Sequence, residues 1–572
     1  MKSNLKLIAI FISLAFIIAS CGKTYKEGKM IPNNALAVVH VNTKSLADKL
    51  PWNDIKQTSW FKEIYNDTSV QSWAKKIMDS PEGTGIDFNS GLIFFMQKPV
   101  GTDGQIVFEG EIKDEKAFEA FNKNLGEEAI ATKDGDLNLL TLKNMPTPKE
   151  EMVVGWNDNK FAYVVNSPGF PKKMKYDMDT LNSNTGLTDA QNLIEVCKNL
   201  FALKTDNSMA KNDKFNGLLK EDGDIHVWQN TEEIAKSSAQ MGALGMLKLD
   251  LFLKGNISTF TASFNDGKIT VKQKLYASPE LTDLIKKYFG GSINTDMVKN
   301  IPSQNINGVL ALHFKPEGIK ELVKLAGMDG FLNIFLSEKN VSLDDIVKAN
   351  KGDIIFAVTD FGMKKDSINM GDGTDKGSSY MYEKPSASFL FSASIGDRPS
   401  FNKLLDAGKK AGGDMMSSAR IFYANNDRFF AVGNSQQYIS KYIEGGNNKF
   451  DFVDKIENHP FGLFIDIQKI LTTASLKPAG DSSEQVIMNE SLKTWQSLYA
   501  MGGEYKDDGF LFNSEINFVD KSTNSLKQLN SYFDKISKVM IEKNKKDKER
   551  WAQPDSTQFY PPVGMDTVPA KP

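Results

Sequence analysis

The sequence predicts an α+β fold of two tandem homologous halves, each mainly antiparallel sheet with packed helices. Three observations carry that expectation. Five blocks of sequence recur in the same order along the 572 residues, and a collinear series of that length points to duplication. Segments such as QIVFEGEI and KITVKQKLYA alternate polar and apolar residues or run apolar, as half-buried strands do. Tight polar turns join several of them, which makes neighbouring strands antiparallel, and helices are interspersed without the regular alternation of a doubly wound fold.

Residues 1–20, MKSNLKLIAIFISLAFIIAS, read as a lipoprotein signal peptide. Lys2 and Lys6 make a positive start, and Leu7 to Ala19 is apolar apart from Ser13. A helix needs about 20 apolar residues to cross a bilayer, so the run is too short to span and fits a signal-peptide core. Small residues then precede Cys21 and Gly22, an arrangement similar to the bacterial lipobox. That similarity makes Cys21 the lipidated first residue of the mature chain. The competing reading is an ordinary signal peptide with a chance cysteine. Residues 21–29 form a tether without the acidic run of some surface-displayed lipoproteins, which favours an outer-membrane lipoprotein with a periplasmic body over one at the cell surface.

The first half is expected over residues 30–295 and the second over 296–541. IPNNALAVVHVNTKSLADKL from Ile31 matches IPSQNINGVLALHFKPEGIKELV from Ile301, each a strand with a histidine followed by a helix. GIDFNSGLIFFM matches DIVKANKGDIIFAV as turn and strand. In the third pair a strand ends at Ile112 or Ile395, Asp114 or Asp397 stands as N-cap, and Phe118 or Phe401 follows on the helix. NDNKFAYVVNS matches NNDRFFAVGNS, which equates Phe161 with Phe429. FNDGKITVKQKL and YKDDGFLFNSEI are hairpins, each followed by a helix that carries Tyr288 or Tyr532. In the first of these helices Ser278 caps, Pro279 takes the first turn and Leu281, Leu284, Ile285 and Tyr288 share a face. DGDIHVWQNTEEIAKS and PFGLFIDIQKILTTA add a finer repeat of strand, polar residue and helix.

Residues 364–386, rich in Gly, Ser and Asp, read as a long flexible loop inserted in the second half. Residues 542–572 are charged and then proline-rich, and read as a disordered tail.

Composition narrows the function. Formal charge is −3, and removing Lys2 and Lys6 leaves −5, without the basic excess of a nucleic-acid binder. Lipidation of Cys21 leaves Cys197 as the one remaining thiol, so no internal disulfide is available. Cys197 lies in an apolar run and reads as a small buried hydrophobe. His40, His226, His313 and His459 are the only histidines, and none has the close spacing of a zinc site. Ser72-Trp73-Ala74-Lys75 matches the start of a penicillin-binding motif whose other elements do not occur. Asp372 and Asp375 lack the pattern of a calcium loop. Trp52, Trp60, Phe61 and Tyr65 cluster after the first strand, and their spacing favours a core face over a ligand platform. No catalytic residue, cofactor or metal is assigned.

The residues IPNNALAVVHVNTKSL, TGIDFNSGLIFFM and NKGDIIFAVTDF, with the lipobox-like start, resemble the domain of unknown function 4836 family of Bacteroidetes-type envelopes. The resemblance implies an envelope lipoprotein and carries no activity with it. The expected function is a membrane-anchored extracytoplasmic protein, non-enzymatic, that binds an envelope protein, lipid or glycan between its halves or at the insertion. The alternative is a carboxylate-dependent hydrolase acting on envelope or imported polymers.

Overall fold

The computed structural model describes residues 27–68, 70–98, 104–125, 128–144, 150–157, 159–167, 189–237, 253–369, 379–476 and 481–552. The signal peptide and Cys21 lie outside them. The first part of the chain supplies β1 (Ala37–Val41), β2 (Leu92–Gln97), β3 (Gln105–Glu111), β4 (Ala129–Asp134), β5 (Leu137–Lys143), β6 (Glu151–Trp156), β7 (Lys160–Asn166), β8 (Ile225–Asn230), β9 (Ile257–Asn265) and β10 (Lys268–Tyr276). The second supplies β11 (Ile306–His313), β12 (Asn350–Asn369), β13 (Ser379–Ile395), β14 (Phe422–Asn425), β15 (Phe429–Gly433), β16 (Phe461–Asp466), β17 (Trp495–Lys506) and β18 (Gly509–Phe518).

These strands form one α+β architecture around a single sheet in which every pairing is antiparallel. Its order is β4-β5-β6-β7-β3-β2-β1-β8-β9-β10 and then β18-β17-β16-β11-β12-β13-β15-β14. The run β6-β7-β3-β2-β1-β8-β9-β10 therefore has the same order as β14-β15-β13-β12-β11-β16-β17-β18, and β4 and β5 are additions at one edge. Helices cover both faces. Asp114 and Asp397 cap their helices, accepting from Ala117 N and Ser400 N at 3.0 and 2.9 Å, and Ser278 accepts from Leu281 N at 3.2 Å.

The first part packs two cores, one on each face of the sheet. One holds Leu92, Phe108, Phe118, Trp156, Phe161 and Tyr163, with Trp52, Phe61 and Trp73 from the covering helices. The other holds Ile93, Phe95, Val107, Ala162 and Trp228, with Cys197 buried against Gly155. Trp52 and Phe61 are thus core residues, and Trp60 and Tyr65 pack against the same cluster. Burial pushes the Cys197 thiol up to about 12, which leaves it inert.

Four expectations need correction. Phe118 meets Phe161 with ring centroids 5.2 Å apart, whereas Phe401 meets Phe430 at 5.5 Å. Phe430, and not Phe429, therefore takes the place of Phe161, and Phe429 faces the opposite core. A slip of one residue moves a side chain to the other face of a strand. Residues 364–386 are not a flexible loop where described: β12 and β13 continue in register from Gly362–Ser386 to Asn369–Ser379, a hairpin arm that leaves the sheet at a bulge. Its tip, 370–378, lies outside the described residues. The tail begins as helix, because Ser525–Ala552 is continuous. Finally, the two parts meet through paired strands and not across an open cleft, since β10 and β18 are hydrogen-bonded neighbours.

One buried pair fixes the corner beside this seam. Asp224, with a side chain 1% exposed, lies 2.6 Å from Lys49 and accepts from Ser45 Oγ and Phe264 N, both at 2.6 Å. It ties the helix Thr43–Lys49 to β8 and β9. Asp224→Ala leaves Lys49 and a backbone N–H without their acceptor and should cost about 3 kcal/mol. Chemical denaturation followed by tryptophan fluorescence would show the first transition moving to lower denaturant.

Candidate functional site

A cavity stands on the second part of the sheet, next to the seam. It encloses about 530 Å³ and draws on four separate stretches, at Gln304–Ile306, Lys449–Lys455, Phe464–Lys469 and Gln496–Lys521. One wall is aromatic: Phe452 stacks on Phe464 at 4.5 Å and Tyr499 lies 5.1 Å from Phe464. The remaining lining is polar, with Lys449, Lys455, Lys469 and Lys521 beside Gln468, Gln496, Asn517, Asp451 and Asp466.

Strand alternation explains this mixture. Tyr499 and Ser497 on β17, Asn517 on β18, and Phe464 and Asp466 on β16 all point to one side, because residues two apart share a face. Lys449 enters from the loop after residue 448, Lys455 from the helix Val453–Ile456, Lys469 from the helix Ile467–Ala474 and Lys521 from the turn after β18. Glu515 accepts from Lys268 at 3.0 Å and Lys455 at 2.5 Å. Burial alone would raise its carboxyl, yet the two ammonium groups hold it below the usual range. Lys521 titrates lower than an ordinary lysine, through burial first and then the neighbouring charge of Lys455. Asn517 is 9% exposed and its Nδ2 has no hydrogen-bond partner. A buried donor without an acceptor costs about 1–3 kcal/mol, so this pocket carries unmet hydrogen-bonding capacity.

A second polar constellation lies on the first part. Along one line across the sheet, Ala162, Glu109, Ile93, His40, His226 and Thr261 stand directly opposite their neighbours on β7, β3, β2, β1, β8 and β9. The corresponding line in the second part is Ala431, Ser392, Ile355, Ala311, Gly462 and Met501, with no ionisable group. His40 Nδ1 approaches His226 Nδ1 to 3.1 Å, so the sheet brings these two histidines together. Burial first, and His226 second, lowers His40 to about 3, which keeps it neutral. Its 3.6 Å contact with Glu27 is therefore not an ion pair. Burial lifts Glu27 to about 7 and Glu109 to about 8, with Lys160 opposing both. One oxygen of each carboxyl has no hydrogen-bond partner. Sequence reasoning missed both residues, because a lone glutamate in a strand pattern carries no mark of the face it occupies.

The other two histidines sit elsewhere. His313 Nδ1 bonds Asp353 at 2.7 Å, and His459 bonds Glu504. His40 and His313 are not equivalent, because His40 faces Ile93 within β1 while His313 ends β11 opposite Asp353. Among the described residues neither pair has a serine, threonine or cysteine bonded to the histidine, and no group of three His, Cys, Asp or Glu side chains is close enough to hold a metal. Ser72 begins a helix that buries Trp73, Ala74 and Ile77. Asp372 and Asp375 lie outside the described residues, as does Cys21. No helix among the described residues is long and apolar enough to cross a membrane.

Glu109 and Glu27 make stability depend on pH in a set direction. Their folded pKa values exceed the ordinary carboxyl value, so the folded state holds these protons. Their contribution is fully present below about pH 4 and is lost as pH rises through about 7 to 8. Glu109→Gln imitates the protonated form. Its thermal midpoint should fall roughly half as much as the parent's between about pH 5 and pH 9, measured by scanning calorimetry.

No curated protein and no solved structure matches the chain. A family model does match, over residues 27–371, more than half of the sequence. The chain belongs to the family described as Domain of unknown function (DUF4836).

Proposed function

We propose that this protein is a lipoprotein of the outer membrane, held through Cys21 with its body in the periplasm, and that it works by binding without covalent chemistry. Its ligand is an anionic, hydroxyl-rich molecule such as an acidic glycan segment, taken up in the lysine- and amide-lined pocket beside the seam. The observation that supports this reading best is the buried, unpartnered Asn517 amide facing a cavity in which four lysines outnumber two aspartates. An anion relieves the repulsion between Lys455 and Lys521, Asp451 and Asp466 accept from hydroxyl groups, and the aromatic wall packs against a sugar face. The volume falls within the range of about 300–1,000 Å³ of small-molecule sites. The duplication of the two halves belongs to this proposal as well, supported by their common strand order.

Titration calorimetry with a glucuronate-containing oligosaccharide and its neutral glucose counterpart tests the ligand. The acidic sugar should bind at least about tenfold more tightly, and Lys521→Gln should remove most of that difference, equivalent to about 1.4 kcal/mol. Affinity should also fall with added salt. Equal binding of both sugars, or an unchanged Lys521→Gln variant, overturns the assignment. The anchor is tested separately: Cys21→Ala should abolish incorporation of a fatty-acid analogue, and label retained by the variant would refute it.

A further inference from the structure

The two parts share a strand order but differ in how one face is filled. In the first, Phe108, Phe118, Trp156, Phe161 and Tyr163 interlock with ring centroids 5.2 to 6.1 Å apart. Register gives the counterparts in the second as Phe391, Phe401, Asn425, Phe430 and Val432. Asparagine stands for tryptophan and valine for tyrosine. A cavity of about 420 Å³ opens on this face beside Phe401 and Phe430.

Its walls are aliphatic and aromatic, from Ile319, Ile346, Ile354, Ile395, Leu404 and Phe430. Lys409, whose side chain is 47% exposed, belongs to the lining, with its ammonium 5.8 Å from the ring of Tyr423. Among the described residues it pairs with the Asp406 carboxylate at 3.7 Å. Along β12 and β13, the cross-strand pair Phe356 and Phe391 continues the same face and is 43% and 37% exposed. Burying an aromatic side chain is worth about 1.5–3 kcal/mol, so an exposed pair beside an open cavity marks a way in.

The neighbouring helix, Asp329–Ser337, carries Phe331, Ile334 and Phe335 at 73%, 68% and 55% exposure. In the first part, by contrast, the helix Ser59–Asn66 is covered by the C-terminal helix through Asn530 and Asp534. The helix after β10, Pro279–Tyr288, has 10 residues where Ser525–Ala552 has 28. It reaches Glu317–Leu325, where Lys315 N donates to Tyr288 O at 2.6 Å, and stops there. Among the described residues, Phe331, Ile334 and Phe335 are therefore left exposed.

We infer that this cavity is a binding site for a single acyl chain ending in an anion, with the chain among the aliphatic walls and the anion at Lys409. An acyl chain fits because the lining is apolar apart from Asn350, Ser394 and one cation, Lys409. This site is distinct from the polar pocket beside the seam, and failure of either assignment leaves the other standing.

Gly408 provides the test. It lines the cavity from a helix, and a Cβ added there meets no atom within 4 Å. Gly408→Leu should fill the space and raise thermal stability, because glycine is a poor helix former. The probe is cis-parinaric acid, whose fluorescence rises in apolar surroundings, titrated into the chain from Gly22 onward. The parent should bind it saturably, and Gly408→Leu should weaken binding at least about tenfold while melting no lower than the parent. Lys409→Gln should weaken the acid and leave its methyl ester unaffected. Displacement by palmitate identifies a free carboxylate as the head group, and displacement by lysophosphatidylglycerol alone identifies a phosphate. No saturable binding by the parent, or unchanged binding by a folded Gly408→Leu variant, overturns the inference.

Discussion

The pairing of β10 with β18 is the contact on which the rest of the molecule depends. Each would otherwise be the exposed edge of its own sheet, with a row of unpaired N–H and C=O groups. Together they run from Lys268 opposite Asn517 to Leu275 opposite Phe510 and join eighteen strands into one surface. The register is self-complementary. Lys272 and Asn513, the fifth residue of each strand, face one another, and Ile269 faces Ile516 as Phe510 faces Leu275. That is the reciprocal pattern of a two-fold dimer interface, here within one chain. The closing helices follow the same reciprocity, since each packs on the other part: Pro279–Tyr288 against Glu317–Leu325, and Ser525–Ala552 against Ser59–Asn66.

Much of this was legible in the residues. Aspartate and serine caps, the Asp266-Gly267 turn and the amphipathic helices are short-range features, and each lies where its local chemistry requires it. Register was not legible, because KFAYVVN and RFFAVGN align equally well one residue apart and only the rings of Phe118 and Phe401 decide which phenylalanine faces them. The arm was misread for a related reason. Gly, Ser and Asp are poor strand residues, and the pairing of β12 with β13 there comes from a hairpin already closed further down.

The candidate sites were hidden more deeply. The polar pocket is assembled from residues as far apart as Gln304 and Lys521, and no spacing rule reaches across such a gap. Glu109 and His40 become neighbours of a kind only because β2 lies between their strands. The apolar cavity gathers Phe314, Ile346 and Phe430 from separate stretches, and no periodicity reports an unfilled volume. A scaffold already stabilised by a densely packed first part tolerates a second part whose core is incomplete, and incomplete cores are where ligands enter.

The long C-terminal helix has a consequence for the order of assembly. Leu526 is buried in the core of the first part, and Asn530 and Asp534 bond Trp60 and Ser59. A ribosome delivers that helix after every described strand. The first part to be synthesised is therefore among the last to be completed, and its apolar helix Ser59–Asn66 waits for a segment some 460 residues downstream. The core of the first part stays open until that helix has emerged, and a product terminated before it has no cover for its own first core.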